Sequence, residues 1–226
     1  MNSFYFLSIF VLLTFYYSYS LKNLPRKSNL MRIFSSIEDM NYVPDIIQPV
    51  KFCGAGCVIL ADSNEFSHFF NKAAVFIYQY SINDGAQGVI LERPTAFSMG
   101  ESSPGIGVFE SNTLFTGGDS GMDTAVMFGK YNLPGTCKYV GSGIYLGGIK
   151  YAREKVMNGE ARPKDFKFFF RISEWAPGIL EKEIEEGKWE CVKVPPADIL
   201  SQDSESNLWS KARNTIASIK LNYKSE

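Results

Sequence analysis

Arg93, Asp119 and Trp175 are the residues of this chain whose types best suit recognition of a small ligand. Arg93 follows an apolar segment and precedes Pro94, which favours an extended backbone at the arginine. A guanidinium there can hold a carboxylate, a phosphate or backbone carbonyls. If the loops that carry the three residues meet, they form a pocket with a cation, an acid and an aromatic ring. The alternative for Arg93 is structural: a salt bridge or a carbonyl contact that locks a hairpin.

The familiar catalytic motifs are incomplete in this sequence. The segment Gly118-Asp119-Ser120-Gly121 has the core of the trypsin-like nucleophile motif, but a nucleophilic serine needs a nearby base. His68 is the single histidine, and it lies among phenylalanines. The glycines do not form a phosphate-binding loop, and no acidic cluster has metal-site spacing. We therefore predict no catalytic residue, no metal and no cofactor.

Four cysteines allow two interpretations. Cys53 and Cys57 form a single Cys-x-x-x-Cys pair, while Cys137 and Cys191 are distant in sequence. Without a second pair or a histidine partner, a zinc site or a catalytic thiol is not indicated. The four side chains are predicted to be buried thiols, and a disulfide becomes possible in an oxidising compartment.

Charge is distributed unevenly along the 226 residues. The first 37 residues hold four basic residues and no acid, so the remainder has 19 basic and 24 acidic residues, a net charge of −5. Phosphate neutralisation supplies most of the affinity of nucleic-acid-binding proteins. Direct nucleic-acid binding is therefore not expected, and the expected partner is a protein of unknown identity.

The N-terminus has the features of a two-part leader. An apolar run from Phe4 to Tyr17, too short to span a bilayer, precedes small residues at 18 and 20. This pattern predicts a signal peptide at 1–20, with a signal anchor as the alternative. Residues 21–45 begin with an acid-free basic segment typical of a transit peptide. We predict delivery to a plastid by the secretory route, or else secretion or retention in the endoplasmic reticulum lumen. No membrane span is expected in the mature domain, residues 46–226.

Short strands dominate the pattern of the mature domain. Phe166, Phe168 and Phe170 alternate with Lys167 and Arg171, as in a strand packed on at least one face. The turn signal Asn83-Asp84-Gly85 predicts a hairpin. Residues 95–112 have little periodicity and are predicted to form a long surface loop of the kind that often has a function.

Helices are few and irregularly placed between these strands. A helix is predicted after Pro177, ending at Gly187, and a last one from about Ser204 with Leu208, Ala212 and Ile216 on its apolar face. The order is not a regular strand–helix alternation, which indicates an α+β fold.

Several segments resemble the YqgE/AlgH family. They are the strand Gly56–Ala61, the run from Asp84 through Arg93-Pro94-Thr95, Gly117-Gly118, and Arg162-Pro163-Lys164-Asp165-Phe166 leading to Trp175 and Trp189. The resemblance implies a mixed, mostly antiparallel split sheet curled into a pseudo-barrel with three to four flanking helices. It also implies a poorly defined role, since bacterial members have been described as transcriptional regulators and plant relatives look plastid-targeted.

The sequence departs from the family pattern near the predicted pocket. The family's Gly-Tyr-Ala-Gly before the central tryptophan is Arg171-Ile172-Ser173-Glu174 here, and its Gly-Gly-Pro is Gly117-Gly118-Asp119. Glycines let a ligand approach the backbone closely, so their replacement weakens the argument for a pocket. The expected function is a non-enzymatic regulatory or interaction protein. The alternative is a small-ligand sensor or enzyme with a pocket near Arg93, Asp119 and Trp175.

Overall fold

The computed structural model of the chain describes residues 42–63, 68–203 and 207–222. The predicted signal peptide, 1–20, and nearly all of the transit-like leader, 21–45, lie outside these residues. In the described part of the chain, no helix is long and apolar enough to cross a membrane.

The described residues form a mixed α+β domain, as predicted. Its strands are Gln48–Pro49 (β1), Val58–Ala61 (β2), Ala74–Ser81 (β3), Gly85–Ile90 (β4), Pro94–Ser98 (β5), Thr113–Thr116 (β6), Ser120–Gly129 (β7), Cys137–Gly141 (β8), Ile144–Gly147 (β9), Phe166–Trp175 (β10) and Trp189–Lys193 (β11). Its α-helices are Met99–Ser102 (α1), Ile149–Met157 (α2), Ile179–Glu185 (α3), Pro196–Ile199 (α4) and Leu208–Asn222 (α5). Short 3₁₀ turns occupy His68–Phe70, Gly107–Phe109 and Pro163–Asp165.

The strands form one large sheet in the order β1-β11-β2-β3-β4-β10-β7-β9-β8, with β6 beside β10 and β5 beside β6. The ladders are antiparallel except for β6 with β10. Strand β10 joins two halves of the sheet. Residues 166–170 pair with β7 and β6, whereas residues 173–175 pair with β4. A bulge at Arg171, whose φ is +64°, shifts the register. Ile172 then pairs once more with β7, at Ser120, before the strand continues along β4.

The prediction of a pseudo-barrel is wrong in its closure, because the described sheet ends at β1 and β8 without pairing them. The sheet curls so that the turn at Ser142, which follows β8, contacts Gly56 in the half of the sheet that contains β2. Ser142 Oγ donates to the carbonyl of Gly56 at 2.6 Å, and the backbones of Gly56 and Gly141 touch. Both glycines have positive φ, at 82° and 96°. A contact between two such turns aligns no run of N–H and C=O groups, so it cannot continue the ladder.

Both faces of the sheet are buried, which explains the continuous apolar runs of β2 and β3. Alternation in β2 sends Val58 and Leu60 into one cluster and Ile59 and Ala61 into another. Helix α5 covers the first face with Leu208, Ala212 and Ile216, at the predicted helical spacing. Helix α3 covers the second face, beside Trp175 and Trp189. A third cluster lies under α2 around the phenylalanines of β10.

Candidate binding cleft

Arg93 makes backbone contacts in the structure. Its guanidinium donates to the carbonyl of Asn71 at 2.6 Å and to that of Glu92 at 3.1 Å. Its own carbonyl accepts from Thr116 N–H at 2.7 Å. These contacts correspond to the structural alternative, in which the arginine holds carbonyl groups of the hairpin region.

Asp119 and Trp175 have different surroundings from Arg93. Asp119 is exposed between β6 and β7. Trp175 is buried and its Nε1 donates to Glu183 at 3.0 Å, an acceptor it shares with Trp189 at 2.8 Å. The described contacts of the three predicted residues thus lead to separate partners, and none of the three lines the cavities described below. A ligand-binding role for them stays a prediction.

A cleft of about 380 Å³ opens where β7 and β9 separate. Strand β9 pairs with β7 at Phe128 and Gly129, and the chain then turns away through Gly147 and Gly148 into α2. Both of these glycines have positive φ, at 86° and 84°, which permits the sharp departure. The lining residues come from α1 and the loop after it, β6, β7, the β9–α2 turn and β10: Met99, Ser102, Ser103, Ile106, Leu114, Ala125, Val126, Met127, Gly147, Gly148, Ile149, Phe168, Phe169 and Phe170.

A short capped helix positions one wall of this cleft. Ser98 accepts from Glu101 N–H at 3.3 Å, while the Glu101 carboxylate accepts from Ser98 N–H at 2.7 Å. This reciprocal capping box fixes the start of α1 and places Met99 toward the third hydrophobic cluster. The segment lies in the long loop predicted at residues 95–112, which in the structure contains most of β5, the helix α1 and a 3₁₀ turn. A function for this loop stays a prediction.

The chemistry of the cleft lining is almost entirely apolar. Among its described lining residues, only Ser102 and Ser103 have polar side chains, and none has a titratable side chain. Phe170 and Ile149 leave 38% and 40% of their surface exposed, so large apolar groups remain accessible to solvent at the cleft. A volume of this size accommodates a small molecule or a few side chains of a partner. The arrangement suits apolar binding and offers no group for proton transfer.

A second cavity, of about 560 Å³, lies near the start of β10 and is more charged. Asp165 in its wall accepts from Arg162 N–H at 2.9 Å, Tyr131 at 3.0 Å, Lys130 at 3.1 Å and the Arg162 guanidinium at 3.2 Å. Burial alone raises the pKa of Asp165, but these hydrogen bonds outweigh it and lower the pKa to about 2. Two of the three cationic residues in its lining, Lys130 and Arg162, are therefore already paired with a carboxylate, which reduces their attraction for an anionic ligand.

Lys167 is the polar residue whose environment the sequence pattern misrepresents. Its alternation with phenylalanines predicts that it can face solvent, yet only 2% of it is exposed. Its Nζ donates to the carbonyls of Leu91 at 2.8 Å, Ser201 at 2.5 Å and Ile199 at 3.4 Å, and lies 4.2 Å from the centre of the Phe115 ring. These contacts tie β10 to the end of β4 and to the segment after α4.

Burial lowers the pKa of Lys167 to about 7, against an opposing effect of the Glu92 carboxylate. The neutral amine has two N–H donors and leaves one of the three carbonyls without a hydrogen bond. The ammonium has three N–H donors, one for each carbonyl. No local signal in the sequence marks this lysine, because its acceptors come from segments far away in the chain.

Comparison with known proteins agrees with the architecture. Residues 58–219 match the family model described as AlgH-like (DUF179). A UPF0301 protein of Mycobacteroides abscessus is 26% identical over 177 residues, which cover 72% of this chain and 80% of the relative. A UPF0301 protein of Streptomyces coelicolor is 29% identical over 167 residues, or 66% of this chain and 77% of the relative.

Two solved structures have the same fold. A Corynebacterium diphtheriae protein superposes with a TM-score of 0.61 at 20% identity, covering 73% of this chain and 87% of its own. The AlgH protein of Pseudomonas aeruginosa superposes with a TM-score of 0.58 at 16% identity. The superposition covers 74% of this chain and 90% of the AlgH chain. Since the family model spans most of the chain and the fold agrees, this protein belongs to the AlgH-like family.

Proposed function

We propose that this AlgH-like protein is a non-enzymatic interaction protein with a regulatory role, and that it binds an extended segment of a partner protein at the apolar cleft. The observation that carries the proposal is the composition of the cleft lining, which combines apolar side chains with two serine hydroxyls. Such a lining can bind an apolar anchor residue, but it has no acid, base or nucleophile stronger than a serine hydroxyl.

The edge of β7 favours a peptide over a compact small molecule. In the described part of the chain, β10 pairs along one side of β7, while β9 reaches the other side only at Phe128 and Gly129. The backbone of Ala125–Met127 therefore presents an open strand edge directly beside the cleft that these residues line. An extended segment can add to such an edge through main-chain hydrogen bonds while an apolar side chain enters the neighbouring pocket.

The test compares two arginine substitutions on the same strand. Ala125 is exposed and lines the cleft, whereas Met122 is exposed and does not line it. The partner is first captured from the native cells with the wild-type chain, and its binding segment is then synthesised for fluorescence anisotropy. We expect Ala125→Arg to weaken binding at least tenfold and Met122→Arg to change it less than twofold. Equal binding by both variants would place the interface elsewhere.

The alternative function is a small-ligand sensor or an enzyme that uses Arg93, Asp119 and Trp175. The carbonyl contacts of Arg93 and the exposure of Asp119 weigh against it. Substrate turnover that disappears in a folded Arg93→Ala variant would favour this alternative. Direct DNA binding is the least supported role because the chain after residue 37 has a net charge of −5. Tight, salt-sensitive binding to duplex DNA would contradict that assessment.

We also propose that the protein acts in a plastid that it reaches through the secretory route. The support is the order of features in the leader: a short apolar run, small residues at a cleavage point, and a basic acid-free segment. In that compartment the partner is a plastid protein.

A further inference from the structure

Three of the four cysteines meet on one face of the sheet. Cys191 lies on β11 opposite Ile59 of β2, and its carbonyl accepts from Val50 N–H at 3.1 Å. Both Val50 and Cys53 pack against the cluster that contains Cys191. The turn that follows Cys53 is closed by Cys57 N–H, which donates to the carbonyl of Gly54 at 3.1 Å. The Cys-x-x-x-Cys segment is thereby folded back onto β11.

The thiols of this cluster interact with one another. The pKa of Cys53 is raised well above its usual range by hydrogen bonding with the thiols of Cys191 and Cys57, and by burial. Cys57 and Cys191 are 3% and 7% exposed, whereas Cys53 is partly buried and is the least enclosed residue of the three. Cys137 is separate, since its Sγ accepts from Leu133 N–H at 3.0 Å in the third hydrophobic cluster.

Lys193 adds a cation to the same face. It follows Cys191 by two residues on β11, while the intervening Val192 faces the opposite cluster. It is 2% exposed, and its Nζ makes no hydrogen bond within the described part of the chain.

We propose that Cys53 and Cys191 form a reversible disulfide by exchange with a small-molecule disulfide such as oxidised glutathione. A metal centre is a weaker interpretation, because the described residues contain no group of three or more metal-ligating side chains arranged to hold an ion. The pair is assigned on position: Cys53 packs against the cluster that contains Cys191, and its thiol interacts with the thiols of Cys191 and Cys57.

The exchange proceeds in two balanced steps. The Cys53 thiolate attacks one sulfur of the small disulfide, forms a mixed disulfide and releases one thiolate, which takes up a proton. The Cys191 thiolate then attacks the Cys53 sulfur and releases the second small thiolate. Two protein thiols are thus oxidised to one disulfide, while the small disulfide is reduced to two thiols. The raised pKa of Cys53 predicts slow exchange near pH 7 that accelerates about tenfold per pH unit while the thiol remains protonated.

The experiment maps disulfides in the full chain. The protein is incubated in reduced and oxidised glutathione buffers, blocked with an alkylating reagent, digested without reduction and analysed by mass spectrometry. We expect a linked peptide that contains Cys53 and Cys191 in the oxidised buffer, with Cys137 alkylated. Because Cys53 and Cys57 fall in one tryptic peptide, the Cys57→Ser variant identifies the partner: the link to Cys191 must persist in it.

The controls separate a specific link from general oxidation. Cys137→Ser is expected to leave the linkage unchanged, and Cys191→Ser to abolish it, with circular dichroism and a thermal melt to verify folding. Should Cys191→Ser fail to fold, Cys53→Ser replaces the less buried cysteine of the pair and is likewise expected to abolish the linkage. A link confined to Cys53 and Cys57, oxidation of Cys137 at an equal rate, or four alkylated thiols in the oxidised buffer would overturn the proposal.

Discussion

At the scale of single residues, Lys167 is the clearest case of a polar group that organises its surroundings. Its amine donates to three carbonyls on two segments of the chain, those of Leu91 and of Ile199 and Ser201. Placing it inside the protein costs desolvation, which appears as its lowered pKa. The amine is nevertheless placed there because the carbonyl acceptors around it would otherwise lack a donor.

The lowered pKa of Lys167 predicts a specific pH dependence of stability. An unfolded lysine keeps its proton to about pH 10.4, whereas folded Lys167 loses it near pH 7. Between these values the unfolded state binds more protons, so the free energy of unfolding rises with pH, by up to about 1.4 kcal/mol per unit. Urea denaturation at pH 7.5 and at pH 8.5 measures this rise in the free energy of unfolding. At the upper pH an unfolded thiol, with a pKa of about 8.5, begins to lose its proton, so the raised pKa of Cys53 offsets part of this rise.

The control for this prediction is Lys167→Met. The variant is expected to be less stable by about 3 kcal/mol, because its carbonyl acceptors lose their donor. It should also lose the increase in stability between the two pH values. The same pH slope in both proteins would show that another group titrates.

Gly118 occupies a position where the backbone of β10 leaves no room for a side chain. A Cβ at this position would lie 1.9 Å from the carbonyl carbon and oxygen of Ile172 on β10, so the backbone would have to move. We expect Gly118→Ala to destabilise the protein by about 3 kcal/mol or more in chemical denaturation. Gly54→Ala is the matched control, since a Cβ there has no atom within 4 Å and should cost less than about 1 kcal/mol. Equal stabilities would contradict this close approach.

At the scale of elements, the attachment of α5 determines how one face of the sheet is covered. Its Leu208 and Trp209 N–H groups both donate to the Glu92 carboxylate at the end of β4, with 3.1 Å for Trp209. Trp209 Nε1 and Arg213 each donate to the carbonyl of Ala61 on β2 at 2.7 Å. The helix is therefore held by a remote acidic residue at its N-terminus and by two side chains that bond the end of β2.

Removing the charge of Glu92 tests this attachment. We predict that Glu92→Gln lowers the free energy of unfolding by about 1–2 kcal/mol, because a charged acceptor for two helix N–H groups becomes neutral. Amide hydrogen exchange should increase first in α5. Glu101→Gln is the control, since Glu101 caps only the four-residue α1 and should leave the exchange of α5 unchanged. Unaltered exchange of α5 in Glu92→Gln would contradict the role of the carboxylate.

At the scale of the whole molecule, the sheet is open at both ends, and its curl is secured by the contact between Gly56 and the turn at Ser142. An open sheet has unpaired strand edges, and part of the β7 edge lies beside the apolar cleft. Our proposal places the partner segment at this edge, where it can add through main-chain hydrogen bonds.

The leader gives the whole-molecule prediction. A reporter fused behind residues 1–50 is expected to reach the plastid, because a secretory signal precedes a transit-like segment. Deletion of residues 21–36 should leave the reporter secreted or held in the endoplasmic reticulum. Fluorescence microscopy with compartment markers reads the result. Secretion of the full fusion would contradict plastid delivery, and a cytosolic reporter would contradict both parts of the leader.

Local pattern in the sequence determined the fold class and many elements. The Asn83-Asp84-Gly85 turn lies between β3 and β4 as predicted, and the apolar spacing of Leu208, Ala212 and Ile216 forms the buried side of α5. The family resemblance, built on short segments such as Arg162–Phe166, was confirmed. These features depend on backbone preference and periodicity within a few residues, which a sequence displays directly.

The tertiary structure alone decided which distant residues meet. Arg93 was recognised, but its partner Asn71 was not, and Lys167 was read as a strand residue before its three remote acceptors were known. The apolar cleft and the contact of Cys53 with Cys191 likewise arise from strands that are far apart in sequence. Strand order and sheet closure depend on the combined packing of many segments, and no local pattern encodes them.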